Sequence, residues 1–324
     1  MGSFTGFVYR QITFKPKPLR ADVDLKGKTA LVTGAGGGLG LEACLELVAH
    51  GLSRIILGVR NPSKSEAAKS ILAKNPTIDV QMWEVEQESF TSIKAFADRA
   101  AALDRLDIVI LNAGVKAMEY TKSTKGGHEL NTQVNHLGTA LLSLLLLSPL
   151  QKTAVATSTP SRLTIVSSEN HFWVDLKEIK GPDTLARMDG KETFGKGMDR
   201  YSVTKLLNIL WMRELSARVT GNIVINAVNP GFCQSSLHRQ HPGGASFANM
   251  IGWTAAQGGH CLTDAAIQHP KDHGAYISEQ VAKNPSSFVL SEEGQSAQRK
   301  IWDETIQILT REAPSSDLVS LVRL

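Results

Sequence analysis

The chain has 324 residues, 42% of them hydrophobic, with 35 basic and 31 acidic side chains and a net charge of +4. That suffices for one large α/β domain with its own core, while a balance this mild, with no Lys/Arg block, argues against a nucleic-acid partner. Cys44, Cys233 and Cys261 show no metal-ligand spacing, and so sparse and odd a set suits a reducing compartment.

Residues 1–24 read as an N-terminal extension whose apolar residues, Phe4, Phe7, Val8 and Tyr9, are too broken by polar ones for a signal-peptide core. From residue 25 onward, short apolar runs alternate with helical segments. Thr29–Val32 is a continuous apolar strand, followed by a helix over Gly38–His50. Strand and helix repeat at Arg54–Leu57 and Ser63–Ala73, at Val80–Trp83 and Ser89–Ala102, and at Ile108–Leu111 with a helix carrying Val134, Leu137, Leu141 and Leu145. Leu163–Val166, the helix Tyr201–Val219 and Ile223–Val228 complete the series. The apolar stretch Ala140–Leu150 is too short for a span of ~20 residues and reads as a buried helix. Such alternation predicts a parallel sheet wound on both faces, in a single domain over 25–324. Two segments, 169–200 and 232–275, break the rhythm and are expected to form an irregular substrate-binding cap.

The turn Thr33-Gly34-Ala35-Gly36-Gly37-Gly38-Leu39-Gly40 joins the first strand to its helix. Glycines there permit a tight turn and close approach of phosphate, and a helix N-terminus favours the anion. The spacing is not Gly-x-Gly-x-x-Gly, because Leu39 fills the last position. Far downstream, Tyr201 and Lys205 stand four apart and so share a helix face. An ammonium beside a phenol favours phenolate, and a tyrosine so tuned can exchange a proton with a carbonyl or alcohol.

These residues, with four further stations, resemble the short-chain dehydrogenase/reductase superfamily. Asn112-Ala113-Gly114 closes strand four, Asn135 lies in Val-Asn-His-Leu-Gly, Ser167-Ser168 ends strand five and Pro230-Gly231 ends strand six. The likeness runs from Leu25 to about Ser235, and it implies a Rossmann-type doubly wound fold. It further implies that Tyr201 is the general acid or base, that Lys205 tunes it and holds the nicotinamide ribose, that Ser168 steadies the substrate oxygen, and that Asn135 holds a water. Thr33, Gly34, Gly36, Gly38, Leu39, Gly40, Asn112, Ala113, Gly114, Pro230 and Gly231 would frame the dinucleotide. Glu86 stands where an adenine-side Asp is usual, and Ser235 or Ser236 where a threonine is usual. Strand two ends in Arg60 rather than an acid, with Lys64 nearby, which points to the 2′-phosphate of NADPH/NADP+ rather than to NAD.

His238, His241, His260, His269 and His273 lack metal spacing, so no metal is expected. Phe172, Trp173, Phe232, Phe247, Met250, Ile251 and Trp253 suggest an apolar substrate pocket. Leu206-Leu207-Asn208 after the lysine and Phe288-Val289-Leu290-Ser291 in the tail are similar to fungal natural-product reductases and to retinol-dehydrogenase-like enzymes. The expected activity is reduction of a ketone or aldehyde on a hydrophobic small molecule, in the cytoplasm. Oxidation of a secondary alcohol and non-catalytic NADP binding stay open, as does pairing into a homodimer through the helices around Tyr201, a family habit.

Overall fold

The computed structural model describes residues 2–64, 66–219, 221–235, 237 and 250–314. Its elements are α1 (Phe4–Thr13), β1 (Thr29–Thr33), α2 (Gly38–Ala49), β2 (Arg54–Val59), α3 (Ala67–Lys74), β3 (Asp79–Glu84), α4 (Phe90–Ala101) and β4 (Ile108–Leu111). A π-helical stretch, Thr132–Gly138, then runs into α5 (Thr139–Leu145) and α6 (Leu147–Thr157). There follow β5 (Ser161–Val166), α7 (Thr184–Met188), α8 (Gly197–Arg218), β6 (Ile223–Asn229), α9 (Ala255–Ile267), β7 (Tyr276–Ser278), β8 (Val281–Lys283), α10 (Ser287–Leu290) and α11 (Glu292–Glu312).

One eight-stranded sheet runs in the order β3-β2-β1-β4-β5-β6-β7-β8, parallel throughout except for the last pair. β1, β4 and β6 are buried along their whole length because helices cover both faces. One apolar layer packs β1 and β2 against α2 and α9 through Ala43, Leu47, Leu262 and Ala266. The opposite layer is built from α4, α5, α8 and α11. The winding reverses between β1 and β4, so the glycine turn and the Asn112–Gly114 loop open side by side at the strands' carboxyl ends, where such sheets bind ligands.

Thr132–Thr157 is long and apolar enough by length and composition to cross a bilayer, yet 72% of its apolar 18-residue window is buried, with Leu137, Leu141, Leu142 and Leu146 in the core.

The structure adds detail to the N-terminal extension and the two cap segments. The N-terminal extension carries a helix, α1, started by Ser3 accepting from Gly6 N and fastened to the rest of the fold. The second cap segment is not wholly irregular, since Ala255–Ile267 is a helix opened by a Thr254/Gln257 capping box. Its Gly259 lies against α2, where a Cβ would meet the Glu42 Cβ at 2.8 Å and the Ala43 N at 3.0 Å. The first cap segment, 169–200, folds into short helical turns clasped by Arg200, whose guanidinium is buried and donates to the carbonyls of Met188 (2.7 Å) and Thr193 (2.7 Å). Arg200 immediately precedes Tyr201, so the cap's anchor and the site's tyrosine share one helical turn. Finally, α8 is buried from Arg200 to Ser216 except at Arg213. α11 lies along it, with Trp302 stacked on Trp211 at 4.6 Å and Gln298 donating to Glu214 at 2.7 Å.

Candidate active site

The glycine turn is held from two sides. Gly34, at φ +67°, donates from its N to Gly58 O at 2.8 Å. The Thr33 hydroxyl accepts from the N–H groups of Asn112 and Ala113, both at 3.1 Å, and the Asn112 amide donates to Thr33 O at 3.0 Å. A Cβ on Gly40 would lie 2.5 Å from Gly34 O and 2.7 Å from Asn112 Nδ2, so this glycine brings α2 hard against the turn. Gly37 and Gly38 behave oppositely: added Cβ atoms meet nothing within 4 Å. No side chain caps α2 at Gly37, so its first N–H groups face open space. A close-packed floor under an open, uncapped helix end fits a dinucleotide phosphate.

α8 carries Tyr201 and Lys205 on one face, as their spacing requires. The Lys205 Nζ lies 5.6 Å from the centre of the Tyr201 ring and donates to Val166 O at 3.0 Å. A second ammonium, Lys116, lies 5.8 Å from the same ring. Lys116 follows the Asn-Ala-Gly turn by two residues and is 8% exposed. The two serines ending β5 divide their work. The Ser167 hydroxyl donates to Lys205 O at 2.8 Å and braces α8, whereas the Ser168 hydroxyl accepts from Asn170 N at 3.2 Å and is near enough to the Tyr201 phenol to lower its pKa. Burial pushes the Tyr201 hydroxyl above the usual tyrosine range, opposed only by Ser168. Burial also draws Lys205 down to about 8 and lowers Lys116. Desolvation opposes the acidifying effect expected of a neighbouring ammonium.

Asn135 stands behind this group. Its amide donates to Val115 O at 2.9 Å and to Thr204 Oγ1 at 3.1 Å, and its Oδ1 accepts from Val115 N at 2.8 Å. The side chain thus fixes the loop after Gly114 to α8, and both of its N–H groups are spent. It is fully buried within the π-helical stretch.

All of this surrounds one cavity of about 1190 Å³. That exceeds the range of about 300–1,000 Å³ usual for a single small ligand, so it has room for a dinucleotide and a substrate together. Gly34, Gly36, Gly38 and Leu39 line one end with Arg60 and Glu86; Asn112, Ala113 and Gly114 the middle; Ser168, Tyr201 and Lys205 the reacting wall; and Pro230, Gly231 and Ser235 the far side. Thr33, Gly40 and Asn135 do not line it and brace the residues that do. Arg60 is exposed and has no ion-pair partner among the described residues, whereas Glu86 is already paired with Lys125. Gly231, at φ +77°, lies so close to Trp253 that a Cβ would overlap the indole.

Phe4 and Phe7 of α1 also line the cavity, as do Trp173, Phe232, Met198 and Cys233. Of the apolar residues singled out in the two cap segments, Trp173 and Phe232 reach it; Trp253 is buried beside it, and Met250 is 73% exposed. The spacing of Phe4, Phe7 and Gln11 was the available signal for α1 as an amphipathic helix.

The late histidines do structural work. His260 pairs with Glu46, His269 bridges Asp264 and Asp272, and His273 binds the backbone of Ile225 and Ser216. No group able to hold a metal occurs among the described residues. Cys44, Cys233 and Cys261 are buried free thiols, with Cys233 pushed up to about 12 by burial. Ser236, His238, His241 and Phe247, and the side chain of Lys64, lie outside the described residues.

The short chain dehydrogenase pattern matches residues 28–168. Short chain dehydrogenase sol3 of Alternaria solani is 62% identical over 86% of this chain and 99% of its own length. Short chain dehydrogenase virL of Hypocrea virens is 35% identical over 94% and 91%, respectively. Among solved structures, an uncharacterized protein from Mycobacterium paratuberculosis superposes with a TM-score of 0.67 at 22% identity, over 89% of this chain and 96% of that one, and so shares the fold. With a close relative matched over nearly its full length, the chain belongs to the short chain dehydrogenase family of oxidoreductases, whose members bind a nicotinamide cofactor.

Proposed function

We propose that the chain is an NADPH-dependent reductase of a ketone or aldehyde carried on an apolar small molecule, of the kind handled by fungal natural-product ketoreductases. The observation that carries this reading is that Tyr201, Ser168 and Lys205 line one cavity that extends to the glycine turn, with the Lys116 and Lys205 ammoniums 5.8 and 5.6 Å from the centre of the Tyr201 ring. Gly34, Gly36, Gly38 and Leu39 would hold the cofactor's phosphates at the N-terminus of α2, and Arg60, uncommitted among the described residues, would take a 2′-phosphate. When bound, the nicotinamide supplies hydride to the carbonyl carbon.

The chain's own residues handle the oxygen. Ser168 and Tyr201 both line the cavity, where their hydroxyls would orient a carbonyl oxygen and stabilise the charge it gains. Because burial holds the Tyr201 hydroxyl protonated, it is a donor at neutral pH. Lys205, near neutrality at about 8, is placed to restore the proton. Asn135, by tying Val115 to Thr204, keeps the loop and α8 in register. Apolar side chains from α1 and both cap segments suit a hydrophobic substrate.

The test is to titrate the protein with NADPH and with NADH, then follow nicotinamide absorbance over aromatic and aliphatic ketones and aldehydes. Oxidation of NADPH by apolar ketones is expected, with NADH a poor substitute. A preference for NADH overturns the cofactor assignment. Tight NADPH binding without turnover replaces the enzyme reading with that of a cofactor-binding protein.

A further inference from the structure

We infer that α1 is a substrate-selecting wall of the site, with Phe7 as its specificity-determining residue for carbonyl compounds bearing a flat, uncharged ring system. The inference rests on the reading of the cavity as a carbonyl site, and goes beyond it by assigning selection to the N-terminal extension.

Three separate segments bring their rings to one place. Phe7 of α1 stands edge-on to Trp173, with centroids 5.7 Å apart and planes at 89°. It meets Phe232 at 6.2 Å and 75°. All three line the same cavity as Tyr201 and Ser168. Edge-to-face rings leave flat faces for a further ring to stack on.

α1 is also fixed to both cap segments rather than resting on the surface. Gln11 is 3% exposed; its amide donates to Phe232 O at 2.7 Å and its Oε1 accepts from Phe232 N at 3.2 Å. Trp253 Nε1 donates to Gln11 O at 2.9 Å, and Trp173 Nε1 to Gly2 O at 2.7 Å. Arg10 is paired with Glu169, the residue after Ser168, and with Glu279 at 3.4 Å. Glu279 is in turn paired with Lys283. The carboxylates of Glu169 and Glu279 beside α1 are thus matched by cations.

The test titrates the full chain loaded with NADP+ calorimetrically with acetylnaphthalene and with cyclohexanone, and measures kcat/KM for both with NADPH, for wild type, Phe7→Ala and Phe7→Leu. Wild type is expected to prefer acetylnaphthalene. Phe7→Ala should weaken its binding about tenfold, as for one lost aromatic contact, and lower its kcat/KM relative to cyclohexanone by a similar factor. Phe7→Leu keeps an apolar anchor under α1; with the thermal midpoint preserved, it should still lower that ratio about threefold. Equal losses on both ketones, no loss on either, or no preference in wild type overturns the inference. Binding of acetylnaphthalene that follows Phe7 without any turnover supports the wall and overturns the reductase reading instead.

Discussion

Replacing Gly40 with alanine adds a single methyl group where the structure leaves no room. Its carbon would sit 2.5 Å from Gly34 O, 2.7 Å from Asn112 Nδ2 and 3.0 Å from Gly34 C. Reaching the 3.4 Å of an ordinary contact requires the turn and α2 to part by about 0.9 Å. None of the three neighbours yields easily, because Asn112 is tied to Thr33 O and Gly34 N is bonded to Gly58 O. Overpacking of this kind costs about 1–3 kcal/mol, and losing the Asn112–Thr33 bond adds about 1 kcal/mol. The total, about 2–4 kcal/mol, is a sizeable part of a domain's stability and corresponds to a thermal midpoint lower by roughly 3–6 °C. The same displacement moves the N–H groups at the start of α2, so NADPH affinity should fall about tenfold or more. Calorimetric melting and NADPH fluorescence titration read the two effects. A Gly40→Ala protein that melts within about 1 °C of wild type and binds NADPH equally well would refute the close-packing argument, because a clash against backbone cannot cost so little.

Arg60→Ala removes an exposed guanidinium that holds no ion pair among the described residues, so stability should be unchanged. NADPH affinity should fall about 10–50-fold, modest for a charge-assisted pair because the site is open to water, while NADH affinity stays put; equal effects on both cofactors refute the 2′-phosphate role. His128 bridges Asp189 at 2.6 Å and Glu312 at 3.0 Å; burial opposes its charge, but the two carboxylates outweigh that and raise its pKa. Its contribution is therefore full below the ordinary histidine value and fades as pH rises through the folded one. His128→Gln should lower the thermal midpoint by a few degrees at about pH 6 and by little at about pH 9, and a pH-independent loss would contradict the charge argument. Sedimentation should show no dimer formed through α8, because α11 covers that face; a dimer broken by mutation of α8 would reverse this.

What the sequence disclosed, and what it withheld, follows from the range of the forces involved. β1 and β4 were legible because burial on both sides makes Thr29–Val32 and Ile108–Leu111 continuous apolar runs, and the glycine turn because its geometry is local. β7 and β8, three residues each, are too short to show a period. α9 was obscured by Gly258 and Gly259, which lower helix propensity but let the helix touch α2. The meeting of Phe7 with Trp173 and Phe232 joins distant parts of the chain, so no local pattern could reveal it. The sign of the Tyr201 shift depends on how deeply α8 is buried, which the spacing of Tyr201 and Lys205 does not encode.

The most direct test of the account is Tyr201→Phe, which deletes the oxygen that delivers the proton and leaves the ring between Lys116 and Lys205. Turnover of a ketone that wild type reduces should fall by at least about a hundredfold, the scale of general acid catalysis, with the NADPH dissociation constant within about twofold of wild type. Turnover close to wild type would contradict the claim that this phenol serves as the acid.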